Sequence, residues 1–212
     1  LPSLSERLCL EMGAFALVVS GPSGVGKTSI CQALLERDGR VQPCVTTTTR
    51  ARRPGEEDGV DYHFVLEADF LEKLARGEFI EHAEVHGCHY GATAEAVRKA
   101  LFNGQVMLLD VDVQGAENWR RVLGERCVTV FVLPPSIEEL RRRLEGRMTE
   151  ARSSFQVRMQ NARRELERAS AYDFWVVNDS LEKAVLSLQH ILGAERARPP
   201  RMREAFAGLG VV

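Results

Sequence analysis

Little in this chain would place it in an oxidising compartment or inside a membrane. Its five cysteines (Cys9, Cys31, Cys44, Cys88, Cys127) are scattered and form no Cys-x-x-Cys pair. An odd, unpatterned set excludes a disulfide framework and reads as reduced thiols, which predicts a cytoplasmic protein. No apolar run approaches the ~18 residues needed to cross a bilayer. The N-terminal stretch LPSLSERLCLEMG is too polar for a secretory signal peptide, and its first residue, Leu rather than Met, leaves trimming or processing open. There is no excess of basic charge: the net charge of −2 does not point to nucleic acid or to an anionic membrane. No internal repeat is present.

What is present has an alternating rhythm. Residues 14–20 (AFALVVS) form a short apolar run ending at Gly21, which fits a buried parallel strand better than a surface strand. Ile30, Ala33, Leu34 and Leu35 fall at helical spacing over Lys27–Arg37, so a strand is followed by a helix. The segment 46–93 differs. It has short alternating pieces at 62–66 and 79–85 and a brief helix at 68–76 ended by Gly77, and reads as a mixed α/β insertion. The rhythm then resumes: helix 94–102 stopped by Asn103-Gly104, strand 106–111, helix 117–123, strand Cys127–Leu133 and helix Ile137–Glu145. Ser136 and Glu139 make a capping box for that last helix. An arginine-rich helix over 153–170, a strand at Phe174–Val177 and a helix over 181–192 complete the pattern. Such alternation predicts an α/β fold, a parallel sheet flanked by helices. We expect one domain over 14–193, with core segments 14–45, 94–137 and 160–193. An extension (1–13) precedes it and a tail (194–212) follows.

Gly21-Pro22-Ser23-Gly24-Val25-Gly26-Lys27-Thr28 is a GxxxxGK[ST] sequence between a predicted strand and a predicted helix. Backbone N–H groups of such a loop, and of the helix N-terminus behind it, converge on a polyphosphate. Lys27 reaches the β and γ phosphates, the Thr28 hydroxyl ligates Mg²⁺, and Ser29 belongs to the same first turn. Asp110 and Asp112 lie two apart at the end of a buried strand and so face one way. They sit at the carboxyl edge, where open α/β sheets bind ligands, and Asp110 reads as the acid holding Mg²⁺ through water. Asp112-Val-Gln-Gly115 imitates a GTPase switch, but no Asn-Lys-x-Asp base-reading motif follows. The chain is short for a motor or helicase. A small P-loop kinase remains.

The stretch TTTTRARRPGEEDGVDYHF puts three arginines, Arg50, Arg52 and Arg53, within four positions. Either the loop's own acids (Glu56, Glu57, Asp58) neutralise them, or an anion does. In a chain that already binds ATP, a second anion site is the favoured reading. With SGPSGVGKTS, FIEHAEVHGCHYGAT, LLDVDVQG, LRRRLEGRMTE and WVVNDSLEKA, this stretch resembles guanylate kinase over about residues 14–192. The resemblance implies a P-loop core, an inserted GMP-binding subdomain (46–93), a helical lid (138–159), and phosphorylation of GMP, with dGMP also expected, by ATP and Mg²⁺.

It also implies residue roles. Arg50, Arg53, Tyr62 and Tyr90 match residues that hold the acceptor phosphate, whereas Arg52 matches none and is expected to be exposed. Glu81 matches the carboxylate that accepts from guanine N1–H and N2–H₂, and Asp112 a second guanine contact. Thr46 stands where the family often has serine. Arg143, Arg147 and Arg158 match lid arginines that clamp the transferring phosphoryl group, and Asn178-Asp179 a loop beside adenine. One position departs. The family usually has Ser or Thr after Tyr-Gly, to bond guanine O6; here it is Ala92, which predicts weaker GMP binding or a water in the gap. A monomer or small homo-oligomer is expected.

Some signals are set aside. His82, His86, Cys88 and His89 lack the second cluster that a tetrahedral zinc site needs. Cys31 is expected to be buried and inert, and Trp119 and Trp175 to be core. Guanylate-kinase-like scaffold domains reuse the fold as binding modules but typically lack an intact P-loop. Lys27, Thr28 and Asp110 are all here. A kinase with another acceptor is the other rival, raised by Ala92.

Overall fold

The strand β1 (Phe15–Ser20) is buried along its whole length. Its side chains divide by parity. Phe15, Leu17 and Val19 join Ile30, Leu34, Val185 and Leu188 in one core cluster. Ala16 and Val18 join Met107, Leu109 and Trp119 in another. The uninterrupted apolar run is therefore two period-two faces, each covered by its own helices.

The computed structural model describes residues 13–85, 87–102, 105–145 and 152–202. After β1 come α1 (Lys27–Arg37), β2 (Val41–Pro43), β3 (Thr46–Thr48), β4 (Tyr62–Phe64), α2 (Glu67–Ala75), β5 (Phe79–Val85) and β6 (Cys88–Thr93). Then follow α3 (Ala94–Ala100), β7 (Val106–Asp110), α4 (Val113–Leu123), β8 (Cys127–Leu133), α5 (Ile137–Glu145), α6 (Arg152–Leu166), β9 (Phe174–Val177) and α7 (Leu181–Arg196). Five strands form a parallel sheet in the order β2-β7-β1-β8-β9. Its two core clusters draw on α1 and α7 in one case and on α3 and α4 in the other. The segment between β2 and α3 builds a second sheet, β4-β3-β6-β5, parallel between β3 and β4 and antiparallel elsewhere. Phe70 of α2 anchors it, stacked on Phe79 and on His89. α5 and α6 pack together through Leu140, Leu144 and Ala162. The expected α/β architecture is present: a parallel sheet flanked by helices, carrying a mixed insertion.

Several expectations need correction. β2 was not foreseen; it is an edge strand that contains Pro43, and only an edge tolerates a residue with no N–H to give. β7 stops at Asp110, and Asp112 is instead the N-cap of α4, accepting from Gly115 N at 2.7 Å. α4 accordingly begins four residues earlier than expected, at Val113 rather than Glu117. The capping box is half made. Ser136 Oγ accepts from Glu139 N at 3.1 Å, but the Glu139 carboxylate turns to Arg142 and Arg143. Trp175 is not core: it lies on the edge strand β9, 59% exposed, with Nε1 donating to Ala169 O. Trp119 is buried as expected. The tail is structured as far as the described residues go. α7 runs on to Arg196, which pairs with Asp38 at 2.8 Å, and Arg201 lies over the Phe15 ring. Gly146, Arg147, His86 and the Asn103-Gly104 stop lie outside the described residues.

Candidate active site

The loop between β1 and α1 folds around its own lysine. Lys27 Nζ donates to Gly21 O at 2.6 Å, a bond that holds the ammonium at the loop's mouth. Gly21 and Gly26 have φ of 143° and 98°, in the range L side chains avoid. A Cβ on Gly21 would come 2.5 Å from the Val132 carbonyl oxygen, and one on Gly26 would come 2.6 Å from Asn178 Nδ2. The glycines are therefore required by their neighbours as well as by their torsions. Thr28 Oγ1 donates to Asp110 Oδ2 at 2.7 Å, joining the first turn of α1 to the carboxyl end of β7. Burial pushes Asp110 above the usual carboxylate range, against the pull of Lys27 and of the Thr28 bond.

The other side of the loop is held by residues far off in sequence. Val25 O accepts from Asn178 Nδ2 at 2.7 Å and from Arg143 Nη1 at 3.1 Å. Arg143 also bonds Asn178 O, and Glu139 orients it at 2.7 Å. Hydrogen bonds from Arg142 and Arg143 hold the Glu139 carboxyl down at about 2. Ser23 N donates to Glu165 Oε2 of α6 at 3.2 Å. Gly24, Gly26, Ser29, Arg143, Asn178 and Asp179 line a cavity of about 510 Å³ beside the loop.

A second cavity, of about 250 Å³, lies between the two sheets. Core residues Lys27, Asp110, Asp112, Gly115 and Trp119 line it together with Thr46, Tyr62, Glu81 and Tyr90 of the insertion. Asp110 and Asp112 do share this cavity, although one closes a strand and the other caps a helix. Glu81 is 9% exposed and bonded by Asn118 Nδ2 at 2.9 Å. Burial pushes its carboxyl up, the Asn118 bond opposes this, and the charge of Asp112 adds to the rise. Burial likewise raises the Tyr62 hydroxyl.

Of the arginine trio, Arg50 is half-buried, paired with Glu56 at 2.8 Å and placed over the Tyr62 ring at 5.4 Å. Arg52 and Arg53 are exposed, and the Arg53 backbone N–H also donates to Glu56 at 2.8 Å. Glu56, one of the loop's own acids, thus pairs with Arg50 and fixes its guanidinium. Tyr62 and Tyr90 meet edge to face, 6.0 Å between centroids, so Arg50, Tyr62 and Tyr90 form one cluster beside the cavity. Arg158 lies on α6. Arg147 is outside the described residues. Ala92 is fully buried, and Thr93 is committed to capping α3 through Ala96 N. Neither supplies a hydroxyl to the cavity.

Sequence reasoning missed Asn118 and Glu165, which act across elements with no local pattern to mark them. It marked Glu139 only as a capping-box partner, not as the residue that orients Arg143 within α5. A larger cavity of about 580 Å³, around Cys127, Arg198 and Arg201, holds none of the predicted residues. Among the described residues, no helix is long and apolar enough to cross a membrane.

The model of the guanylate kinase family matches residues 14–195. The guanylate kinase of Alkalilimnicola ehrlichii is 46% identical over 191 residues, covering 90% of this chain and 93% of that one. That of Clostridium perfringens is 42% identical over 188 residues, covering 89% and 87%. The crystal structure of guanylate kinase from Anaplasma phagocytophilum superimposes with a TM-score of 0.75 at 36% identity, covering 92% of this chain and 95% of that one. With the family's pattern running through the whole α/β domain and into α7, the chain belongs to the guanylate kinase family.

Proposed function

We propose a division of labour for the ATP-dependent phosphorylation of GMP to GDP that this enzyme carries out. The observation that supports it is a single cavity lined both by Lys27 and Asp110 of the phosphate loop's side and by Glu81, Tyr62 and Tyr90 of the insertion. ATP lies along residues 21–29, with its base toward Asn178 and Asp179, which line the neighbouring cavity. GMP occupies the cavity between the sheets. Glu81 accepts from guanine N1–H and N2–H₂, Asp112 offers a second acceptor, and the Thr46 hydroxyl reaches the base. Adenine lacks that donor pair, so a carboxylate discriminates. Arg50, Arg53, Tyr62 and Tyr90 hold the acceptor phosphate.

An oxygen of the GMP phosphate attacks the γ-phosphorus in line, the bond to the β–γ bridging oxygen breaks, and ADP leaves. The acceptor is already an anion, so the protein's work is positioning and charge neutralisation. Lys27, Arg50, Arg147 and Arg158 supply the positive charge. Lid helices α5 and α6 close over both nucleotides and exclude water.

Kinases that use ATP generally need a divalent metal. The Thr28 hydroxyl and the Asp110 carboxylate, 2.7 Å apart, are hard oxygen donors that suit Mg²⁺. When bound, the metal would neutralise phosphate oxygens of ATP. dGMP is a second acceptor, since no residue assigned above addresses the ribose 2′ position. We infer a cytoplasmic enzyme, a monomer or small homo-oligomer, with no nucleic acid or membrane partner; the scattered cysteines and balanced charge support this.

The test is ADP formation from ATP·Mg²⁺ with GMP, dGMP, IMP and AMP offered in turn, in the wild type and in Glu81→Gln. Turnover with GMP and dGMP that collapses in Glu81→Gln supports the assignment. Equal turnover with AMP, or an unaffected Glu81→Gln, overturns it.

A further inference from the structure

Asn118 lies within α4, one position before Trp119, and Glu81 on β5 of the insertion. Asn118 Nδ2 donates to Glu81 Oε1 at 2.9 Å, so the bond spans the two parts of the molecule. A carboxylate oxygen offers two acceptor directions. Guanine presents N1–H and N2–H₂ side by side and needs one direction on each oxygen. Asn118 occupies a direction on Oε1 and leaves the carboxylate three, enough for a two-point match. It also removes rotation of the carboxyl group about its last torsion, a broad and weakly restricted one in a free glutamate.

The surroundings of Glu81 make this bond the more telling. Its cross-strand partner is Ala92, fully buried and packed in the apolar core. Directly opposed residues share a face of the sheet, so the nearest side chain on β6 is a methyl group. Thr93, the next hydroxyl along, accepts from Ala96 N as the cap of α3. The polar restraint on Glu81 comes from α4 instead.

We propose that Asn118 is a positioning residue for guanine specificity, holding the Glu81 carboxylate in the plane in which its two oxygens meet the paired N–H groups of the base. The role rests on the assignment of Glu81 as base reader. The Asn118 bond also works against the rise that burial imposes on Glu81, which favours the ionised acceptor.

Asn118→Leu, Asn118→Asp and Glu81→Gln in the full chain separate the possibilities. Removing a hydrogen bond to a charged group predicts that Asn118→Leu raises KM for GMP about 10-fold or more. KM for ATP and kcat stay within about twofold of the wild type, and the preference for GMP over IMP falls several-fold, as it should when the two-point match loosens. Asn118→Asp keeps the shape, sets a carboxylate against a carboxylate, and raises KM for GMP at neutral pH. If both Asn118 variants keep the wild-type KM for GMP while Glu81→Gln raises it, the positioning role is wrong and the base reader stands. If Glu81→Gln leaves KM for GMP unchanged, the base reader is wrong and the positioning role falls with it. If KM for ATP rises in step with KM for GMP in both Asn118 variants, the residue is merely structural and the proposal is overturned.

Discussion

Asn178 holds the carbonyl of Val25 at 2.7 Å, and Arg143 holds the same oxygen at 3.1 Å. In a trans peptide the carbonyl and the following N–H point opposite ways. Drawing Val25 O toward these two donors therefore aims the Gly26 N–H away from them, toward the phosphate position proposed for ATP. Loss of the Asn178 amide frees that peptide to turn. Asn178→Ala is expected to raise KM for ATP about 10-fold and to leave KM for GMP within about twofold, as steady-state kinetics with each substrate varied in turn will read.

Gly21 lies against the backbone of β8, where nothing can move aside. A methyl group there meets the Val132 carbonyl oxygen at 2.5 Å, in a residue whose φ is 143°. Gly21→Ala is predicted to destabilise the fold by about 3 kcal/mol and to abolish ATP binding. Urea unfolding measures the first and nucleotide titration the second.

Glu81 should betray itself through pH. Burial raises its carboxyl, Asn118 pulls it partly back, and Asp112 adds to the rise. In the role proposed for Glu81, the ionised form is the one that accepts from guanine. kcat/KM for GMP is therefore expected to fall on the acid side at a pH above that of an ordinary glutamate, and Glu81→Gln should lack this limb. The sign for stability is opposite. A carboxyl with a raised folded pKa binds its proton more tightly in the folded state, so its charge opposes folding at pH values above that pKa. Glu81→Gln should accordingly lose GMP activity at pH 8 with no loss of Tm.

The arginine trio divides into one anchored and two exposed members. Arg50 is fixed by Glu56 and by the Tyr62 ring, and Arg52 is exposed. Arg50→Ala is predicted to lower kcat/KM for GMP about 10³-fold, the scale of losing a preorganised charge at a phosphoryl-transfer site. Arg52→Ala should stay within about twofold. A comparable loss in both would remove the distinction.

Asp173, away from the site, reports on the sheet. Burial raises its carboxyl, but bonds from Thr129 N and Oγ1, with the pull of Arg120, outweigh burial and hold it below the usual range. A depressed carboxyl stabilises the fold above its unfolded pKa, and that contribution is lost as pH falls through the folded value. Because the side chain is half exposed, Asp173→Ala is expected to cost only about 1 kcal/mol at pH 7. Thermal unfolding across the acid range should show the difference from the wild type shrinking toward pH 2.

The features legible in the sequence are those whose cause is local. β1, β7 and β8 announce themselves because strands covered on both faces are almost continuously apolar rather than alternating. The phosphate loop is legible because its glycines, lysine and threonine are contiguous. The failures have equally physical causes. Asp112 continues the alternation of β7 by type, but its carboxylate is better used on the Gly115 N–H, so the strand ends early. Trp175 has the composition of a core residue, yet it stands on the sheet's edge strand. Val41–Pro43 is too short to show a period. Asn118 and Glu165 reach partners on other elements, so nothing in their own neighbourhood sets them apart from the polar residues of an ordinary helix.

The chain's two tryptophans stand in opposite environments: Trp119 is 1% exposed and lines the acceptor cavity, and Trp175 is 59% exposed. The enzyme thus carries its own optical gauge. With Trp175→Phe, the remaining indole emission would come from the wall of the nucleotide pocket alone, out of reach of iodide. A purine entering beside it would register as a change in light before any phosphate moved.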